Sequence, residues 1–119
     1  MSKRDRLLLL EDMLESAFKI RRYTSGLDYT SFIQDDKTKD AVVRNFEIVG
    51  EAANKMDSAF KKDHPAISWQ RIRGFRNRII HDYFGIDYEI VWSIVENDLD
   101  DLIANLETLI ENYKDIRDS

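Results

Sequence analysis

The sequence predicts an all-α protein, an antiparallel four-helix bundle with room for one additional short helix. Three observations carry that prediction. Apolar residues recur at spacings of three and four along most of the chain. One proline and four glycines in 119 residues leave too few turn-formers for a many-stranded sandwich or barrel. Hydrophobic residues at 43% against charged residues at 34% match a folded globular domain. The length suits a single domain over residues 1–119, with chain for one core and not for two.

The first helix is predicted over residues 3–24. Leu7, Leu10, Leu14, Ala17 and Phe18 form its buried face, and Ser25-Gly26 ends it. The stretch LDYTSFIQD reads as a connector with aromatic anchors and a turn of helix. A second helix is expected from Asp36 to Lys62, burying Val42, Phe46, Val49, Ala53 and Met56, with Val43 and Ile48 flanking. Gly50 lies inside it, where glycine costs about 1 kcal/mol against alanine; a close helix–helix contact would justify that residue. His64-Pro65 ends the segment. The third helix is expected to start with Ser68 as N-cap and to reach Tyr83 before Gly85, with Ile72, Phe75 and Ile79 inward. Asp87 is the expected N-cap of a long fourth helix carrying Ile90, Val91, Ile94, Val95, Leu99, Leu102, Leu106, Leu109, Ile110 and Tyr113, with a bend at Asn97-Asp98. Trp69 and Trp92 read as core or interface anchors.

Charge is distributed unevenly behind a formal net value of −5. Residues 61–78 hold six basic groups and one acidic group, whereas residues 79–119 hold two basic and 11 acidic. A local cluster of this kind can bind phosphates on an acidic protein. Without cysteine there is no disulfide framework, zinc ribbon or thiol nucleophile. The two histidines lack ligand spacing for zinc, and Asp98 to Asp101 read as a solvated face, so no metal or cofactor is expected. The leucine run at the amino terminus meets Glu11 and Asp12 too soon for a signal peptide or membrane span. A soluble cytoplasmic protein with no membrane partner is the expectation.

The basic segment runs into Arg76-Asn77-Arg78-Ile79-Ile80-His81-Asp82-Tyr83. Histidine is the side chain whose unperturbed pKa lies near neutrality, so His81 suits proton transfer. Arg76 presents a permanent planar charge to phosphate oxygens, while Asn77 and Tyr83 add hydrogen-bonding groups. Such a set suits metal-free cleavage of an RNA phosphodiester, in which the 2′-hydroxyl attacks its own phosphate. Arg73 and Arg78 are candidate RNA contacts. On one straight helix Arg76 and His81 would lie roughly 140° apart. Either the helix end unwinds toward Gly85, or two copies converge across a symmetric dimer; the dimer is the favoured expectation. Gly74 on the polar stripe would then admit a partner helix. Each residue also has a plain structural reading. His81 can complement a helix C-terminus, the arginines can pair with Asp82 or the acidic fourth helix, and Tyr83 can be a core aromatic. Lys61, Lys62 and His64 read as a helix end that could extend a phosphate-binding surface, and Glu51 as an exposed helix residue.

Arg76, Asn77, His81 and Tyr83 together resemble the signature of HEPN-domain ribonucleases, in particular the HepT-like toxins. The likeness extends to RNFEIVGEAANKM, ISWQRIRGFRNRIIHDYFGID and IVWSIVENDLDDL, and so covers most of the chain. It implies a homodimeric HEPN-like helical domain with its ribonuclease cleft at the dimer interface. It further implies a metal-independent endoribonuclease, the toxin of a toxin–antitoxin pair. Arg76 and His81 would then be catalytic, and Asn77 and Tyr83 supporting. The partner implied is a minimal nucleotidyltransferase antitoxin that attaches AMP to Tyr83. The alternative is a non-catalytic HEPN-like module that binds a nucleotide or a partner.

Overall fold

The computed structural model describes residues 1–81 and 85–116; the side chains of His81 and Ile116 fall outside that description. Helix α1 (Lys3–Thr24) opens with a capping box, in which Asp5 N–H donates to Ser2 Oγ and Ser2 N–H to Asp5 Oδ2. The aromatic connector forms α2 (Tyr29–Gln34), capped by Asp28. Helix α3 (Asp36–Lys55) is capped by Asp35 and packs along α1. The molecule measures 50 × 30 × 20 Å. Its thinnest dimension is about two helix diameters, as expected for two layers of helices.

The second predicted helix is interrupted. Helix α3 stops at Lys55, Met56 is extended (φ −64°, ψ 138°), and a separate α4 (Ser58–Asp63) follows. Two features stop it there. Asp57 accepts from Phe60 N–H at 3.2 Å as the N-cap of α4, and Arg6 of α1 grips its carboxylate with bonds of 2.8 and 3.3 Å. The apolar spacing concealed the break because Met56 and Phe60, four apart, are both buried. Gly50 behaves as its position suggested. A Cβ there would stand 3.4 Å from the Ile72 carbonyl oxygen, so two helical backbones meet with little between them.

The third predicted helix is shorter than expected. It consists of α5 (Trp69–Arg73) and α6 (Phe75–Ile79), joined at Gly74. Ser68 occupies the N-cap position without a side-chain capping bond. The helix does not reach Tyr83. Ile80 turns extended (φ −96°, ψ 121°), and β1 (Ile80–His81) pairs antiparallel with β2 (Gly85–Ile86), Ile80 facing Ile86 and His81 facing Gly85. Consecutive β-branched Ile79 and Ile80 disfavour further helix, and Gly85 supplies the left-handed φ of +78°. Asp87 N–H closes the turn onto the Ile79 carbonyl at 2.7 Å.

Asp87 then caps α7 (Tyr88–Asn97) through Ile90 N–H, as predicted. The predicted bend falls at Asp98, a one-residue joint with helical angles (φ −115°, ψ −27°) and hydrogen bonds running through it, after which α8 (Leu99–Ile116) runs beside α1. The expected apolar faces are buried with small adjustments: Met13 and Ile20 join the α1 core, while Leu14 and Phe18 are only partly covered. Trp69 and Trp92 are both core residues. None of the described helices is long and apolar enough to cross a membrane. The result is an all-α bundle with one minimal hairpin.

Two outcomes follow from this packing. In urea denaturation Gly50→Ala should be tolerated or gain up to about 1 kcal/mol from helix propensity, because 3.4 Å is an ordinary carbon–oxygen contact. Gly50→Leu should lose about 1–3 kcal/mol by forcing α5 away from α3. The Asp57 carboxyl is held below the usual carboxylate range by its hydrogen bond from Arg6. Its contribution is therefore complete above the unfolded-state value near ~3.9 and fades as pH falls through the lower folded-state value. Asp57→Asn should lower the unfolding midpoint at neutral pH, and that deficit should shrink on acidification.

Candidate active site

The motif begins on α6, and its last described residue, His81, lies in β1. Phe75 and Ile79 fasten α6 to the core, with the Phe75 ring edge-on to Phe46 of α3 at 5.4 Å. Gly74 keeps helical backbone angles (φ −80°, ψ −4°), and bonds of 3.0 Å from Gly74 N–H to the Gln70 carbonyl and from Arg78 N–H to the Gly74 carbonyl carry the helical path through the joint. A Cβ at Gly74 would lie 3.2 Å from the Gln70 carbonyl oxygen, so the joint itself accounts for this glycine.

With α5 and α6 nearly continuous, their arginines divide by face. Arg71 and Arg78, two turns apart, lie on one stripe. Both reach Asp98 at the α7–α8 joint, Arg71 at 3.0 Å and Arg78 at 3.9 Å. Arg78 also lies over the Phe75 ring at 5.9 Å, and its Nη1 is buried without a hydrogen-bond partner. This arginine, a candidate RNA contact, is thus directed toward the bundle. Arg73, Arg76 and Asn77 are exposed on a stripe roughly 140–240° around from Arg71. Among the described residues, neither Arg73 nor Arg76 has an ion-pair partner.

Arg76 and Asn77 are therefore brought together on a solvent-facing surface, and His81 follows two residues beyond the end of α6. The straight-helix premise does not survive. The backbone turns extended at Ile80, so the angle of roughly 140° between Arg76 and His81 no longer applies, nor does the argument for a dimer built on it. Asp82 and Tyr83 lie outside the described residues. Glu51 is exposed and pairs with Lys55 at 3.8 Å. His64 packs its ring on Phe60 at 4.2 Å, and its carbonyl accepts from Trp69 Nε1 at 2.9 Å. Among the described residues no group of three or more acidic or histidine side chains is arranged to hold a metal ion. Asp98 was missed as a site-shaping residue because the run Asp98 to Asp101 looked like a solvated face. The available signal was the seven-residue spacing of Arg71 and Arg78, which implies one shared counter-charge.

The sequence profile of the family described as "Ribonuclease HepT-like" matches residues 13–109, a span containing the motif and the helices that present it. The chain is 40% identical over 107 residues to "Putative RNase MJ1380" of Methanocaldococcus jannaschii, covering 90% of this chain and 98% of the relative. It is 36% identical over 107 residues to "Probable ribonuclease HepT" of Thermococcus cleftensis, with coverage of 90% and 97%. A third relative, "Putative RNase TTE0752" of Caldanaerobacter subterraneus, is 30% identical over 105 residues, with coverage of 88% and 94%. No solved structure gives a significant match. On this evidence the chain belongs to the HepT-like ribonuclease family.

Proposed function

We propose that this chain, as a single domain over residues 1–119, is a metal-independent endoribonuclease and the toxin of a toxin–antitoxin pair. The observation that carries the reading is the position of the motif. Arg76 and Asn77 stand exposed on a helix anchored by Phe75 and Ile79, immediately before the backbone turns extended into His81. In the proposed reaction the RNA 2′-oxygen attacks the adjacent phosphorus and the bond to the 5′-oxygen breaks. A 2′,3′-cyclic phosphate and a 5′-hydroxyl result. One proton leaves the 2′-oxygen and one reaches the 5′-oxygen; His81 moves a proton in this exchange. Arg76 stabilises charge that builds on the non-bridging oxygens, and Asn77 orients the substrate or the imidazole.

The family resemblance supports a homodimer with the cleft at its interface. It also supports a minimal nucleotidyltransferase antitoxin that transfers AMP to Tyr83. An adenylate there would bring bulk and negative charge beside Arg76 and His81 and obstruct a phosphate. A cytoplasmic location accords with an RNA substrate.

Cleavage of a labelled RNA by antitoxin-free protein tests the reading. His81→Ala should lower the rate about 10²–10⁴-fold, and Arg76→Ala about 10²–10³-fold, both with an unchanged circular dichroism spectrum and with wild-type activity surviving chelator. Unchanged cleavage by both folded variants would refute the mechanism. Intact mass after incubation with the partner and ATP should rise by one AMP in the wild type and not in Tyr83→Phe.

A further inference from the structure

Residues 61–78 contain six cations, and the fold treats them unequally. Arg71 and Arg78 are drawn to Asp98. Lys61, Lys62, Arg73 and Arg76 have no ion-pair partner among the described residues. Lys61 and Lys62 lie on the last turn of α4 and line an open groove of about 520 Å³, whose α5 side carries Ser68, Gln70 and Arg71. Arg73 stands one helical turn beyond Gln70, a residue that lines the groove. Burial first, and then the Arg73 charge, pull the Lys61 ammonium below the usual lysine range. The carboxylate whose charge favours Lys61, Asp57, is already gripped by Arg6. Arg73 in turn shares the exposed stripe with Arg76, three residues further on.

We propose that the α4–α5 groove and Arg73 form a phosphate track for single-stranded RNA, running from Arg76 across Arg73 to Lys61 and Lys62. The assignment rests on the ribonuclease reading and adds where the strand lies beyond the cleaved bond. Like charges held together, with no ion-pair partner among the described residues, oppose folding and favour a polyanion. Within the groove, the Ser68 hydroxyl and Gln70 amide stand beside Lys61 and Lys62 and offer neutral partners to 2′-hydroxyls. A single strand fits because attack by the 2′-oxygen requires a nucleotide free to leave helical geometry. The groove lies outside the motif, so its contribution is to binding rather than to the bond-breaking step.

The test measures affinity for a fluorescein-labelled single-stranded RNA in the cleavage-deficient His81→Ala background, across about 50–200 mM salt. Lys61→Gln with Lys62→Gln should reduce the slope of log K against log salt by about 0.7 for each lysine that contacts a phosphate. With His81 restored, the double variant should raise KM for RNA and leave kcat at saturation unchanged. Its thermal midpoint should not fall, since it relieves repulsion. Lys114→Gln, which breaks an exposed pair with Glu11 on α1 at 3.4 Å, should leave slope and KM unaltered. Cleavage by the double variant with wild-type KM and salt slope would overturn the track and leave the ribonuclease reading intact. Failure of the wild type to bind or cut any RNA would overturn both. Equal binding of poly-glutamate and RNA, equally weakened by the lysine changes, would assign the groove to an acidic protein and also overturn it.

Discussion

Where α3 passes α5, Gly50 leaves a gap that the Ile72 carbonyl nearly fills, and one turn away the Phe46 and Phe75 rings meet edge to face. This contact fixes how deeply α5 and α6 sit in the bundle. With Ile72, Phe75 and Ile79 committed to the core, the register of an α-helix leaves no freedom over the remaining positions. Arg71 and Arg78 must face the α7–α8 corner, and Arg73, Arg76 and Asn77 must face water. A helix of five residues such as α6 is not stable alone, so its orientation is borrowed entirely from this packing. The chemistry-bearing surface is thus a consequence of a glycine and two aromatic rings that take no part in it.

Two aspartates complete the arrangement. Asp57 stops α3, starts α4 and joins both to α1 through Arg6, which places Lys61 and Lys62 beside α5. Asp98 sits at the joint of α7 and α8 and collects Arg71 and Arg78. Both pairs are partly solvated, where ion pairs contribute modestly to stability. Their larger consequence is assignment: they decide which cations serve the fold and which stay available to an anion. A protein of net charge −5 can in this way present a locally positive surface.

The change from helix to hairpin at Ile80 has a chemical consequence as well. Consecutive residues on a helix step around the axis by 100°, whereas an extended segment alternates between two faces. Arg76 and Asn77 are carried by the first geometry, and His81 stands where the second has begun. Reactive groups on a connection held at both ends by a rigid scaffold are a common solution, because the scaffold positions them while the connection sets their direction. Here the holding points are Ile79 on one side and Asp87, bonded to the Ile79 carbonyl and capping α7, on the other.

Much of this was legible in the chain. Spacing of apolar residues located the main helices and nearly all of the core, Gly50 announced a close helix contact, and Asp87 and Asn97-Asp98 announced a start and a bend. The residues of the motif were legible too, since their chemistry is local. The termini of the second and third helices were not. Met56 and Phe60 keep helical spacing across a break imposed by Arg6, 51 residues away from Asp57, and Ile79-Ile80 read as helix until Ile86 appears as a strand partner. The division of labour among the arginines was equally hidden, because Asp98 is 27 residues beyond Arg71. Sequence by itself determined the helical class and most of the core, which follow from neighbours three or four residues apart. Only the tertiary structure decided where the helices stop and which cations Asp57 and Asp98 engage, because those depend on partners that meet only when the chain is folded.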